Sequence, residues 1–524
     1  MASRAAPTRM QGQSPAGTGG EDVAMLPVAN PLLLTIGIML ASLLQILDTT
    51  IANVAIPHMQ AELGATPDTI SWALTSYIVA TAVAMPMTGW LSDRLGSRNL
   101  FIWSVAGFIL SSMLCGMAQN LTQMVLFRAM QGLTGAFISP LSQAAMIDTN
   151  KPSRQPQMMA LWGMGIMVGP ILGPILGGWL TENWNWRWVF YVNVPLGAIS
   201  LAIMLAELPS RERNRRRFDL TGFTLIAICL ASAQMMLDRG NHVDWFDAAE
   251  TWIYLGIAIS TAWMALVHFT TTAHPLFDRG LFANPNFVVA MLIMAVMGVV
   301  MFATMALLPP MLQHLFGYTV IDTGEALMPR GVGTLLTMQV AGVLVRRGVD
   351  PRILIAGGFA IVTYSLWDMA LWSLAVDRST VMITALVQGV GMGLVFIPLN
   401  ATAFSMLPPH LRTDGASLLN LCRSIGSSIG IAVTTALAAR SIQVSHEDLA
   451  GHVTASASSA VDVSTTERFQ ALGETMLRMA DLEVNRQAAM IAYLNDFYLM
   501  MWMALAAIPL AMLLRRQNPA QPPR

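Results

Sequence analysis

Pro31-Leu-Leu-Leu-Thr-Ile-Gly-Ile-Met-Leu-Ala-Ser-Leu-Leu-Gln-Ile-Leu-Asp48-Thr-Thr-Ile51 decides the fold class. About 20 apolar residues in helical form cross roughly 30 Å of hydrocarbon, so this run is long enough to span a bilayer. Near its end stands a carboxylate. An ionised group at the centre of such a helix costs on the order of 2.5–3.5 kcal/mol on insertion scales, and a chain that keeps one generally uses it on an ion or substrate path. The alternative is that Asp48 lies close enough to the interface to be solvated.

The rest of the chain agrees with a membrane setting. It has 524 residues, 55% hydrophobic and 11% charged, against about 25% charged in a soluble domain. The expected class is an all-α integral membrane protein. A net charge of −1 says nothing about partners, and nothing supports a nucleic-acid role. Cys115, Cys229 and Cys422 fall in separate apolar spans, which argues for buried packing residues over a disulfide framework or metal site. Residues 1–25 are polar and rich in Gly, Ser and Pro, so disorder is expected there. No apolar core with a cleavage site precedes the first span, so that helix is expected to act as its own insertion signal.

Windows of spanning length fall at about 31–53, 69–91, 100–118, 121–146, 158–180, 186–208, 218–237, 252–270, 286–312, 323–345, 352–374, 379–402, 411–436 and 494–514. About fourteen helices place both termini on one side. The loops on that side, with the termini, carry 19 basic residues, including Arg211-Glu-Arg-Asn-Arg-Arg-Arg217, and the opposite loops carry 7. The positive-inside bias therefore makes the termini cytoplasmic. Trp184, Trp186, Trp188 and Trp245 are read as an outer aromatic belt.

The two halves repeat. Gly89-Trp-Leu-Ser-Asp-Arg94 and Gly342-Val-Leu-Val-Arg-Arg347 share a G-x-L-x-x-R core at corresponding helix ends. Internal repeats of six helices are common in secondary transporters, with the substrate site at mid-membrane between them. The spans at 218–237 and 252–270 then form a pair inserted between two six-helix bundles. The expected organisation is a cytoplasmic N-terminus (1–25), a first bundle (26–208), a linker with two extra helices (209–275), a second bundle (276–514) with a periplasmic loop at 440–493, and a cytoplasmic tail (515–524).

Depth supplies a partner for Asp48. At 1.5 Å per residue it lies roughly 25 Å up its helix, and Arg128, entering from the outer face near residue 121, reaches a similar level. Arg beside a carboxylate favours the ionised form and burial opposes it, which suits a group that gains and loses a proton; a static ion pair joining the first and fourth helices is the other reading. The fifth span reads Gly165-Ile-Met-Val-Gly169-Pro170-Ile-Leu-Gly173-Pro174-Ile-Leu-Gly177-Gly178. Its glycines recur every fourth residue, a stripe on which another helix packs closely, and membrane helices tolerate its two prolines.

Together these motifs resemble the major facilitator superfamily. Gly165 to Gly178 is similar to its antiporter motif, Gly89 to Arg98 to its loop between helices two and three, and Arg128-Ala-Met-Gln131-Gly132 to its fourth-helix motif. Leu47-Asp48-Thr-Thr-Ile-Ala-Asn53-Val-Ala-Ile-Pro57 resembles the first-helix motif of fourteen-span drug:proton antiporters. Trp186-Arg-Trp-Val-Phe-Tyr-Val-Asn193-Val-Pro195-Leu-Gly197, and Leu237-Asp-Arg-Gly240 with Asp244-Trp-Phe246, look like the EmrB branch of the EmrB/QacA group. The likeness runs from about residue 31 to 514. Two departures stand out: Arg346 where the first half has Asp93, and Ser97 interrupting the usual basic pair beside Arg98.

The resemblance implies proton-driven export of hydrophobic or amphipathic compounds by alternating access across a bacterial inner membrane. It also implies a periplasmic adaptor of the EmrA type, an outer-membrane channel of the TolC type and no cofactor beyond the proton gradient. Carried onto this chain, it makes Asp48 the protonation site, with Arg128 and Gln131 beside it. Gly89, Asp93, Arg94, Gly96 and Arg98 form a cytoplasmic latch. Gly165, Gly169, Pro170, Gly173, Pro174, Gly177 and Gly178 form a packing seal.

Further cavity candidates are Asn53, Arg330, Asn420 and Arg423. Arg423 either attracts anionic substrates or pins Asn420 and nearby carbonyls; Arg330 either lines the cavity or pairs with Glu325. Asp368 reads as interfacial. The 39 methionines either furnish an adaptable pocket or simply fill the membrane. In the loop at 440–493, Phe469, Leu472, Met476 and Met479 are spaced for an amphipathic helix, which either docks an adaptor or lies on its own domain. An importer, or an exporter of one metabolite, siderophore or fatty acid, is the alternative transport reading. No HExxH, metal-spaced histidine set or nucleotide loop supports an enzyme, a metal site or an ATP-driven pump.

Overall fold

The computed structural model describes residues 25–210, 216–240, 243, 245–405, 407–452 and 463–515. Apart from Met25 and Arg515, the expected disordered N-terminus and cytoplasmic tail lie outside the described residues. The described chain is helical, and every expected span coincides with helix. The helices are α1 (Pro31–Glu62), α2 (Trp72–Leu95), α3 (Ser97–Gly116), α4 (Leu121–Gly135), α5 (Ile138–Asp148), α6 (Gln155–Asn183), α7 (Trp188–Glu207), α8 (Leu220–Gly240), α9 (Ala249–Thr271), α10 (Pro285–Phe316), α11 (Val320–Arg346), α12 (Pro351–Met369), α13 (Arg378–Ser405), α14 (Arg412–His452) and α15 (Val463–Met512). Eleven of the described helical stretches are long and apolar enough to cross a membrane.

Local chemistry sets the ends. Pro31, Pro285 and Pro351 sit at first helical positions, where a missing N–H costs nothing. Asn120 caps α4 by accepting from Gln123 N, and Thr319 with Asp322 forms a capping box on α11. The span expected at 121–146 is two helices end to end, broken at Ala136–Phe137. Pro140 explains the break, because its ring opposes a continuous helix at the carbonyl four residues earlier. Gly96 turns the chain between α2 and α3 with φ +90°, a conformation side chains beyond glycine rarely adopt.

In the first half α1 packs on α6 and α7, and α4 on α2 and α3; in the second, α11 packs on α13, α10 on α14, and α12 on α13 and α15. The halves meet where α6 runs along α11 and α5 meets α14. The pair α8–α9 packs on itself and leans on α2, with Trp252, Ile253, Trp263 and Leu266 of α9 exposed, as lipid-facing residues are. The sequence repeat has a spatial counterpart. Gly89 lies against Asp414 at the start of α14, and Gly342 against Pro156 O at the start of α6.

Two expectations change in detail. Instead of a separate loop with its own helix at 440–493, α14 continues to His452 and α15 starts at Val463, and at 41 and 50 residues both helices are longer than one crossing needs. His446 Nε2 and Asp481 Oδ1 lie 3.1 Å apart between them, and Asn495 donates to Ser441. The side chains of Phe469, Leu472, Met476 and Met479 lie outside the described residues. Trp186 leaves the aromatic belt: it is buried and hydrogen-bonded through Nε1 to Glu62, whereas Trp184 and Trp188 remain exposed.

Candidate functional site

Asp48 is fully buried, and only donors meet its two oxygens. Oδ2 accepts from Arg128 Nη1 at 2.6 Å; Oδ1 accepts from Gln131 Nε2 at 2.8 Å and from Asn193 Nδ2 at 2.7 Å. Arg128 and Gln131 are three apart and so share one face of α4. Arg128 Nη1 also donates to Gln131 Oε1 at 2.9 Å, and its Nε donates to Ala73 O at 3.2 Å. The guanidinium lies 4.6 Å from the Tyr77 ring centroid and 5.6 Å from that of Phe190, two aromatic faces that favour a cation. Charge and hydrogen-bond matching of this kind is what makes a buried ion pair tolerable.

Asn193, on α7, was legible only as part of a motif, yet it completes the site. Its Nδ2 donates also to Ser112 Oγ at 3.0 Å, and Ser112 Oγ donates to Phe190 O at 2.9 Å. Asn193 Oδ1 is buried without a hydrogen-bond partner. The signal was available in the sequence: Asn193, like Asp48, is a polar residue inside an apolar span.

The glycine stripe of α6 lies against α1 around Asp48. A Cβ on Gly169 would come 2.8 Å from Ile46 Cγ2, and one on Gly173 would overlap Thr50 Oγ1. Gly165 faces Met39 and Gly177 faces Ile51. Gly178 is on another face, near Val320 of α11; Pro170 and Pro174 lie within α6.

At the helix ends carrying the arginine-rich loops, the latch candidates engage a residue not singled out before. Arg216, from the segment joining the halves, has Nε 3.1 Å from Asp93 Oδ2 and donates through Nη1 and Nη2 to Asp414 at 2.8 and 2.9 Å. Its carbonyl accepts from Trp90 Nε1, and the Phe218 ring lies tilted against Trp90 with centroids 4.3 Å apart. Arg94 lies over Trp90 at 5.1 Å, and Arg98 donates to Leu205 O at 2.7 Å. Arg412 of α14 pairs with Asp148 of α5 at 2.8 Å.

The cavity candidates separate. Asn53 is exposed on α1. Asn420 donates to Gln143 of α5 at 2.9 Å, Gln143 donates to Asn400 of α13, and Arg423 donates to Asn420 Oδ1 at 3.1 Å, so a polar chain crosses the seam between halves. Arg330 donates to Met301 O at 3.2 Å, and Glu325 pairs instead with Arg378. That pairing removes Glu325 as the arginine's partner. Asp368 is half-buried and accepts from Thr384 at 2.6 Å.

The profile of the Major Facilitator Superfamily matches residues 38–431. The chain belongs to that superfamily. Within it the affinity is EmrB-like. The multidrug export protein EmrB of Escherichia coli (strain K12) is 34% identical over 78% of this chain and 80% of its own length. The fatty acid resistance protein FarB of Neisseria gonorrhoeae is 35% identical over 80% and 83%. The crystal structure of the human organic anion transporter MFSD10 (TETRAN) superposes with a TM-score of 0.57 over 90% of this chain and 99% of that one. At 12% identity it shares the fold alone. The protein is therefore a multi-pass membrane transporter of this superfamily.

Proposed function

We propose that this protein exports hydrophobic or amphipathic compounds across a bacterial inner membrane in exchange for protons, by alternating access. The supporting observation is the sealed carboxylate of Asp48, held by donors from α4 and α7 beside the α6 glycine stripe. Similarity to the EmrB export proteins supports the direction of transport. The excess of basic residues in the N-terminal-side loops supports cytoplasmic termini. The bundles at 26–208 and 276–514 are the moving halves, with 209–275 as the inserted linker. A periplasmic adaptor and an outer-membrane channel complete the export path, the extended α14–α15 helices offering the adaptor a docking element.

In this reading the present conformation is closed on the cytoplasmic side by Arg216 and by the Arg412–Asp148 pair. A proton arriving at Asp48 removes the countercharge of Arg128 and turns one carboxyl oxygen into a donor. Asn193 is placed to receive it: a half-turn of its amide presents the unpartnered Oδ1 to the new O–H. With the ion pair gone, α1 is released to shift on the glycine stripe and the halves rock. Proton loss to the cytoplasm restores the pair, and cargo binding commits the return stroke. The test is drug or dye efflux from proteoliposomes under an imposed pH gradient. Asp48→Asn should insert normally and lose gradient-driven efflux; undiminished efflux overturns the assignment.

A further inference from the structure

We propose that Arg330 and Arg423 together bind the anionic head of an amphipathic substrate in the second half of the protein. The inference deepens the export reading above and rests on it.

Three of the buried carboxylates each hold an arginine: Asp48 with Arg128, Asp148 with Arg412, Asp414 with Arg216. Arg330 and Arg423 break that pattern. Among the described residues neither has a carboxylate within 4.0 Å. Glu325 is taken by Arg378, and the buried carboxylate of Asp496 pairs with neither arginine. Each guanidinium offers five N–H donors. Arg330 gives one to Met301 O and Arg423 one to Asn420 Oδ1. Both side chains are only half-buried, so the remaining donors stay accessible.

Both arginines meet the same stretch of α10. Arg423 O packs against Gly298 of α10, and the Arg330 side chain reaches Met301 O one turn further along the same helix. Along α11 the exposed residues Met328, Val332, Leu336 and Val340 recur every fourth position. Arg330, two residues from that stripe, lies on the opposite side and faces the bundle. Arg423 is joined through Asn420 to Gln143 of the first half, so one cation sits at the seam that opens and closes. A cation held away from bulk water without a counterion favours an incoming anion, and the planar guanidinium fork fits carboxylate or sulfonate bidentately. Met297 and Met301, buried on the same turns of α10, are flexible apolar side chains that can repack around the tail.

The experiment measures equilibrium binding of tritiated dodecanoate to the full-length protein in nanodiscs, without a gradient. Dodecyl sulfonate, dodecanol and dodecyltrimethylammonium serve as competitors of matched chain length. The wild type should hold the two anions at least about tenfold more tightly than the alcohol or the cation. Arg330→Gln and Arg423→Gln should each weaken dodecanoate about tenfold and leave the alcohol within about twofold, while Arg330→Lys and Arg423→Lys recover part of the loss. A wild type without anion preference overturns the proposal. So do Gln variants that keep their dodecanoate affinity, or that lose all head groups equally. If the Gln variants fail to fold, the wild-type preference and the Lys variants decide. Selective anion binding without gradient-driven flux counts against the exporter reading alone; gradient-driven export without anion preference counts against this inference alone.

Discussion

Arg216 grips Asp414 through both terminal nitrogens, at 2.8 and 2.9 Å, while its Nε lies 3.1 Å from Asp93. One side chain from the segment between the halves thus joins the end of α2 to the start of α14. Gly89 leaves no room for a Cβ against Asp414, so the two helix ends are in direct contact. Burial works against the Arg216 charge, but Asp414, with Asp93 and Asp278, more than offsets it and its pKa is raised. The clamp therefore keeps its cation across the physiological range.

Arg216→Gln should loosen the closure at these helix ends. A pair of spin labels across the α2 and α14 ends should show a longer distance in a larger fraction of molecules, and efflux should fall on the order of tenfold, since each 1.4 kcal/mol lost from the closed state is a tenfold shift. An unchanged distance distribution would remove the clamp role.

Arg128→Gln leaves Asp48 buried without its cation, a change that typically costs about 3–5 kcal/mol. The variant should melt well below wild type. Adding Asp48→Asn should restore much of the melting temperature while leaving coupled efflux dead. A double variant as unstable as Arg128→Gln alone would show that the two residues do not act as a pair.

Gly173→Ala should impair efflux, because its methyl group meets Thr50. Thr50→Gly added to it clears that space, at a helix-propensity cost of about 0.3–0.4 kcal/mol, and should recover part of the activity. Gly173→Leu, which reaches further into α1, should abolish efflux with or without Thr50→Gly. Wild-type efflux by Gly173→Leu would rule out close α1–α6 packing as a requirement.

Asn193→Ala should keep substrate binding in the absence of a gradient and lose gradient-driven turnover, as expected of a residue that helps Asp48 exchange its proton. Equal loss of both would mean that Asn193 only supports packing.

Much of this molecule is legible along the chain. Hydrophobic runs locate the helices because a bilayer demands about 20 apolar residues per crossing. The 1.5 Å helical rise places Asp48 and Arg128 at one depth, and the structure joins them at 2.6 Å. Glycines four apart announce a close-packing face, though not that its partner is α1 around Asp48. Arg216 was legible only as one arginine in a run that orients the protein; its three-way contact depends on how a connecting segment folds back. Glu325 illustrates the limit: five residues from Arg330 along α11, it turns outward to Arg378.

Sequence alone determined what any single helix must satisfy: its length in lipid, the expense of a charge within it, and the caps and prolines at its ends. Those are local requirements, met by residues within a few turns of one another. Which donors converge on Asp48 and which cations are left without an anion was decided only when helices distant in sequence packed together. Hydrogen bonds act over about 3 Å, and no spacing along a chain fixes a distance that short between separate helices.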